Sequence, residues 1–120
     1  MNPFIQGTEF GRITVGEVVH ERDIVIRPSG KVKKRKKKLS KTHGGDAHVI
    51  SLEEAMHIFG KGADRLIIGT GQEGHIRLSD EAQAYFQEQD CSVELLPTQQ
   101  AVDVWNKLEG KAIGMFHVTC

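Results

Sequence analysis

Short β-branched runs punctuate the first third of the chain. Ile13-Thr14-Val15, Glu17-Val18-Val19 and Asp23-Ile24-Val25-Ile26-Arg27 are separated by Gly16 and by Glu21-Arg22. Runs of this length between turn residues predict antiparallel strands. Pro28-Ser29-Gly30 signals a turn, and Lys31-Val32-Lys33-Lys34-Arg35 returns from it as a further strand, so the opening third predicts a meander or a pair of hairpins. Residues 1–7 carry no such pattern and read as an irregular segment.

Beyond residue 50 the period lengthens. Ser51-Leu52-Glu53-Glu54 has capping-box spacing, in which the serine oxygen accepts the Glu54 amide and the Glu54 carboxylate returns to the cap amide. Leu52, Ala55, Met56 and Phe59 then recur at helical spacing and predict one apolar face ending at Gly60. Arg65-Leu66-Ile67-Ile68-Gly69 predicts a strand covered on both faces. A second helix follows, capped by Ser79 or Asp80 and running to about Gln89, then a strand at Ser92–Leu96. Thr98 caps a third helix to about Glu109, with Ala101, Val102, Val104, Trp105 and Leu108 inward, and Ala112–Thr119 closes as an apolar strand. The alternation predicts an α/β domain with a mixed β-sheet, an antiparallel N-terminal hairpin portion and three helices.

The 120 residues are expected to form one domain, 1–120, and a large multidomain enzyme is not expected. Sixteen basic and sixteen acidic residues cancel, but unevenly. Residues 31–41 hold eight basic and no acidic groups, whereas 42–120 hold five basic and twelve acidic, so a short basic segment is attached to an acidic body. The N-terminus lacks the basic-then-apolar order of a secretory leader, and no apolar run is long enough to span a bilayer. Two cysteines, Cys91 and Cys120, are too few for a disulfide scaffold. A cytoplasmic protein with reduced thiols is the expectation.

Several segments, in order, resemble one family. Asp23-Ile24-Val25-Ile26 with the Gly30 turn, the basic stretch leading to His48-Val49, Ile67-Ile68-Gly69-Thr70-Gly71, Leu96-Pro97-Thr98 before a helix, and His117-Val118-Thr119-Cys120 are similar to the adipogenesis-associated "Mth" domain family. That family includes small archaeal and bacterial proteins and a mitochondrial complex I assembly factor. The resemblance covers residues 8 to 120. It implies a three-layer α/β fold around a mixed sheet and no established enzymatic activity. Fold transfers on such a resemblance and function does not.

Candidate chemistry is sparse. Gly69-Thr70-Gly71-Gln72-Glu73-Gly74 matches a dinucleotide-binding spacing, but His75-Ile76-Arg77-Leu78 separate it from the next helix and Glu94 lies inside its strand. A tight turn is the better reading. The lysine run reads as a solvated edge strand and loop, against the alternative of a phosphate-binding or acidic-protein-binding segment. It contains no aromatic residue for base stacking. His43 and His48 flank Asp46, His57, His75 and His117 are scattered, and His20 stands alone on a strand. None has the close spacing of a metal motif. His48 reads as a hydrogen-bonded residue linking loop to core. In an extended strand His117 and Cys120 point to opposite faces and form no nucleophile–base pair. Cys91 reads as a small apolar filler.

These readings lead to a binding or assembly protein with a protein partner or a small anion. The alternative is a small enzyme or binding protein acting on an anionic metabolite, at the loops after the apolar strands. Whether it is an enzyme stays open. The ligand-binding candidates are Gly69, Thr70, Gly71 and Thr98, with Lys36, Lys41 and His48 supplying charge if the basic loop folds over that rim. Turning and capping roles for the glycines and Thr98 stand beside that reading. No cofactor, metal, membrane or specific nucleic acid is expected, and a monomer or small homo-oligomer is.

Overall fold

The structure, a computed structural model, describes residues 2–41 and 45–120; His43 lies outside them. Strands β1 (Ile5–Glu9), β2 (Arg12–Val15) and β3 (Val18–His20) form an antiparallel meander. Residues 5–7, expected to be irregular, belong to β1: Ile5 faces the core opposite Val15, and the Asn106 side chain bonds both its amide and its carbonyl.

The central sheet has five strands. β4 (Ile24–Ile26) and β5 (Val32–Lys34) make the predicted hairpin, and β7 (Arg65–Gly69), β9 (Ser92–Leu96) and β10 (Ile113–Phe116) run parallel to one another, in the order β5-β4-β10-β7-β9. β10 is antiparallel to β4 and parallel to β7. The sheet is therefore mixed, and the lysine-rich β5 is its edge, where charge discourages association with another strand.

Alternation along these strands builds two cores. Leu66, Ile68, Ile113, Met115 and Val25 face α2 (Leu52–Ile58) and α3 (Asp80–Glu88), joined by Ile50 of the small parallel pair β6 (Val49–Ile50) and β8 (Arg77–Leu78). Ile67, Phe116, Ile24 and Ile26 face α4 (Thr98–Lys107) and the meander. Each fully buried aliphatic side chain stabilises the fold by about 1.5–3 kcal/mol. The result is the three-layer α/β domain implied by the resemblance, with one addition: Lys38–Lys41 form a short helix, α1, so the described residues hold four helices where three were expected. No helix among them is long and apolar enough to cross a membrane.

Two helix details depart from the pattern. In α2, Ala55, Ile58 and Glu54 are buried while Leu52 and Met56 are exposed, because a buried arginine claims Glu54 and turns the helix toward it. The Ser51 oxygen accepts the Glu54 amide as expected, but the cap amide is taken by Ser40 Oγ at 3.0 Å. In α4 the cap position is Pro97. Thr98 is already helical, and its hydroxyl is used elsewhere.

Candidate functional site

The sheet register assembles the polar centre of the molecule. Ile24 pairs with Lys34 on one side and Phe116 on the other, and Phe116 pairs with Gly69. One residue further along, Arg35, Asp23, His117 and Thr70 fall in a row just past the strand ends. Arg35 N donates to Asp23 O at 3.0 Å, and His117 N to Gly69 O at 2.9 Å.

Side chains in this row are knitted by charge. Arg35 Nη1 donates to Asp23 Oδ2 at 2.9 Å, and its Nε and Nη2 reach Glu54 at 2.6 and 3.0 Å. Ser40 Oγ also donates to Glu54, tying α1 to α2. Asp23 accepts the Val118 amide at 2.9 Å and His117 Nδ1 at 2.7 Å. Burial alone would raise the Asp23 pKa, but the bonds from His117, Val118 and Arg35 outweigh it and hold the carboxyl down at about 2. An ionised carboxylate only accepts, so His117 carries its proton on Nδ1 and turns Nε2 toward Thr119 Oγ1, 3.3 Å away. Burial opposes the Arg35 charge, and pairing with Glu54 and Asp23 more than restores it, raising its pKa.

Beside this network opens a cleft of about 530 Å³, lined by Lys37, Lys41, Asp46, His48, His117, Thr119 and Cys120 among others. It lies beyond the carboxyl ends of β7 and β10, where layered α/β folds place ligands. Asp46 Oδ1 accepts both the His48 amide at 2.9 Å and His48 Nδ1 at 3.1 Å, which leaves His48 Nε2 facing Cys120 Sγ at 3.7 Å. The rings of His48 and His117 meet edge to face at 5.5 Å.

The predicted residues divide between this cleft and its floor. Lys41 and His48 line it, whereas Lys36 lines a neighbouring depression with Lys34, Lys37 and Lys38. Gly69, Gly71 and Thr98 do meet, but they consume one another's polar groups. Thr98 Oγ1 accepts the Gly71 amide at 2.8 Å and donates to His117 O at 2.7 Å, and Thr98 N donates to Gly71 O. Thr70 is buried and its amide is bonded to Leu96 O. A Cβ on Gly69 would stand 3.0 Å from Thr98 Oγ1, and one on Gly71, at φ +108°, 2.5 Å from Cys120 O. These glycines let the terminal segment and α4 close on the loop. The Gly69–Gly74 loop leads into β8, with no helix opening from it.

Three participants escaped the sequence reading. Arg35 is buried within the lysine run; it is the only arginine there, and the guanidinium fork suits a buried pair of carboxylates better than an ammonium does. Asp23 and His117 become partners only through the β4–β10 register. The strand-alternation argument separating His117 from Cys120 fails because β10 ends at Phe116; Gln72 N then bonds Thr119 O, and both side chains line the cleft.

Sequence comparison matches residues 5–117 to the proteins of unknown function designated DUF498/DUF598. The chain belongs to this family. Among solved structures, it is similar to the conserved hypothetical protein PH1505 from Pyrococcus horikoshii OT3, at 30% identity over 97% of this chain and 98% of that one, with a TM-score of 0.90. It is also similar to MT938, at 26% identity over 99% and 100% of the two chains, TM-score 0.81. A Mth938-like domain from Bordetella pertussis is 16% identical over 97% and 85%, with a TM-score of 0.64, and shares the fold. The family resemblance read from the ordered segments and the fold it implied both stand.

Within this DUF498/DUF598 domain the cleft offers two lysine ammonium groups, two imidazoles whose tautomers are set by carboxylates, a threonine hydroxyl and a thiol. One residue beyond Gly71, Gln72 Nε2 is buried with no hydrogen-bond partner among the described residues. The Lys37 and Lys41 ammonium groups outnumber the Asp46 carboxylate among the described side chains lining this space, a positive balance that suits a negatively charged ligand.

Proposed function

We propose that this protein acts by binding a small anion, a phosphate or a carboxylate, in the cleft between Lys37, Lys41, His48, His117 and Thr119. The observation that carries the reading is the position of the two ammonium groups and the Thr119 hydroxyl around one open space at the carboxyl ends of the parallel strands. Asp23 and Asp46 support it by holding each imidazole through its Nδ1, so the wall of the cleft is fixed before a ligand arrives. The lysine-rich segment adds a local positive field on an acidic body and draws anions to this edge. The reading is of a non-catalytic binding protein in the cytoplasm that takes the anion from an assembly partner or passes it on to one. Nucleic acid is not the ligand of this reading: Arg35 is withdrawn into the core, and the segment has no aromatic residue for stacking.

Thermal melting in phosphate, sulfate and citrate, against chloride at matched ionic strength, tests the proposal. Ligand binding to the folded state raises the melting temperature by mass action. A saturable rise of several degrees is expected in the wild type, and its loss in the Lys37→Ala/Lys41→Ala variant, both positions being exposed, with the ligand-free melting temperature of the variant reporting any effect of losing the Lys37 contact to Asp23 at 4.0 Å. An equal rise in both proteins, or none beyond chloride, would overturn it.

A further inference from the structure

At one corner of the cleft, topology brings together three side chains that the sequence keeps apart. Parallel pairing sets Val49 of β6 beside Arg77 of β8, and Arg77 N donates to His48 O at 2.9 Å. His48 and His75, which precede these strands, therefore emerge on neighbouring chains, with rings 6.0 Å apart and edge to face. Cys120 arrives from the end of β10, closing over Gly71. One ligand atom from each of His48, His75 and Cys120 then lies within 4.8 Å of the other two.

We propose that His48, His75 and Cys120 bind a zinc ion. Two imidazole nitrogens and a thiolate are a donor set that this borderline-soft cation takes. In a tetrahedral site with Zn–N of about 2.0–2.1 Å and Zn–S of about 2.3 Å, neighbouring donors stand roughly 3.3–3.6 Å apart. His48 Nε2 and Cys120 Sγ are already at 3.7 Å. His75 sits on an exposed turn, where side-chain rotation closes the remaining gap without moving the core. The carboxylate of Asp46 receives His48 Nδ1 and so presents the Nε2 lone pair to the metal, the outer partner that zinc-binding histidines commonly have. Binding exchanges the thiol proton for the metal: the S–H bond breaks, the S–Zn bond forms, and one proton passes to the buffer. Three protein ligands leave a fourth position for water or for an anion from the cleft. The site does not depend on the lysines, so it stands or falls separately from anion binding by the lysine side of the cleft.

The test is metal titration of chelator-treated, reduced full-length protein, using Co2+ as a spectroscopic probe and then Zn2+ in competition with a chromogenic chelator. One equivalent of Co2+ should give thiolate-to-cobalt charge transfer with the strong visible bands of four-coordination, and Zn2+ should displace it. His75→Ala should weaken Zn2+ affinity by at least about tenfold. Cys120→Ser should abolish the charge-transfer band. His75 is exposed, its partners among the described residues being His48 and the exposed Glu73, so its variant is expected to fold and the result is readable even if the Cys120 variant does not. Absence of a one-equivalent complex, or affinity unchanged in His75→Ala, would overturn the site.

Discussion

Arg35 and Glu54 are joined by two hydrogen bonds, Nε to Oε2 at 2.6 Å and Nη2 to Oε1 at 3.0 Å, with both side chains fully buried. The pair links the edge of the central sheet to α2, and through Asp23 it reaches His117. Removing the guanidinium takes the counter-charge from buried Glu54 and leaves Asp23 with only the Lys37 ammonium at 4.0 Å among the described ion pairs. Arg35→Met should therefore cost about 3–5 kcal/mol, measured by urea unfolding. Arg35→Lys should recover only part of it, since an ammonium cannot reproduce the two-pronged contact. Wild-type stability in Arg35→Met would show that the network contributes nothing.

Asp23 gives the network a pH signature. Its folded-state pKa of about 2 lies below the ordinary 3.8, so the fold favours the ionised form. That contribution, roughly 2 kcal/mol, is complete above about pH 4 and is lost as pH falls toward 2. The stability gap between wild type and Asp23→Asn, followed by denaturant unfolding, should be widest near neutrality and shrink across that window. A gap independent of pH would contradict the assignment.

Gly71 holds the terminal segment in place. Its φ of +108°, and the 2.5 Å that would separate an added Cβ from Cys120 O, mean that Gly71→Ala strains the loop and pushes residues 117–120 outward. A loss of roughly 1–3 kcal/mol is expected, read by thermal or urea melting, together with altered amide shifts at His117 and Thr119. Unchanged shifts would mean that the contact is not tight in solution.

Much of this fold was legible in residue patterns. β7 was legible from its unbroken apolar run and α3 from its cap at Ser79, whose oxygen accepts the Ala82 amide, while Trp105 and Ala101 marked the buried face of α4. The α2 face was misread because Glu54 counts as polar in any periodicity, yet it is among the most buried residues once Arg35 neutralises it. The site was less legible. Charge and loop position point to Lys41 and His48, which line the cleft, but Asp23 with His117 and His48 with His75 and Cys120 are neighbours only through strand register and loop closure. No local spacing encodes that.

The two thiols should differ in reactivity. Cys91 is buried in the core under α3, and burial pushes its pKa up to about 11. Cys120 is partly exposed at the cleft. A thiol reagent at neutral pH should modify Cys120 rapidly in the reduced, metal-free protein and Cys91 only after denaturation. Equal native rates would place Cys91 nearer the surface than the fold has it.

Anion binding in the cleft is the property on which the proposed function turns. Its most direct test is an amide chemical-shift titration of the isotopically labelled protein with phosphate at constant ionic strength. Saturable shifts concentrated at Ala47, His48, Thr119 and Cys120 are predicted, because these residues line the cleft beside Lys41 and His117. No saturable shift there, or the largest shifts over Gln6, Thr8 and Arg12 in the separate depression on β1 and β2, would contradict it.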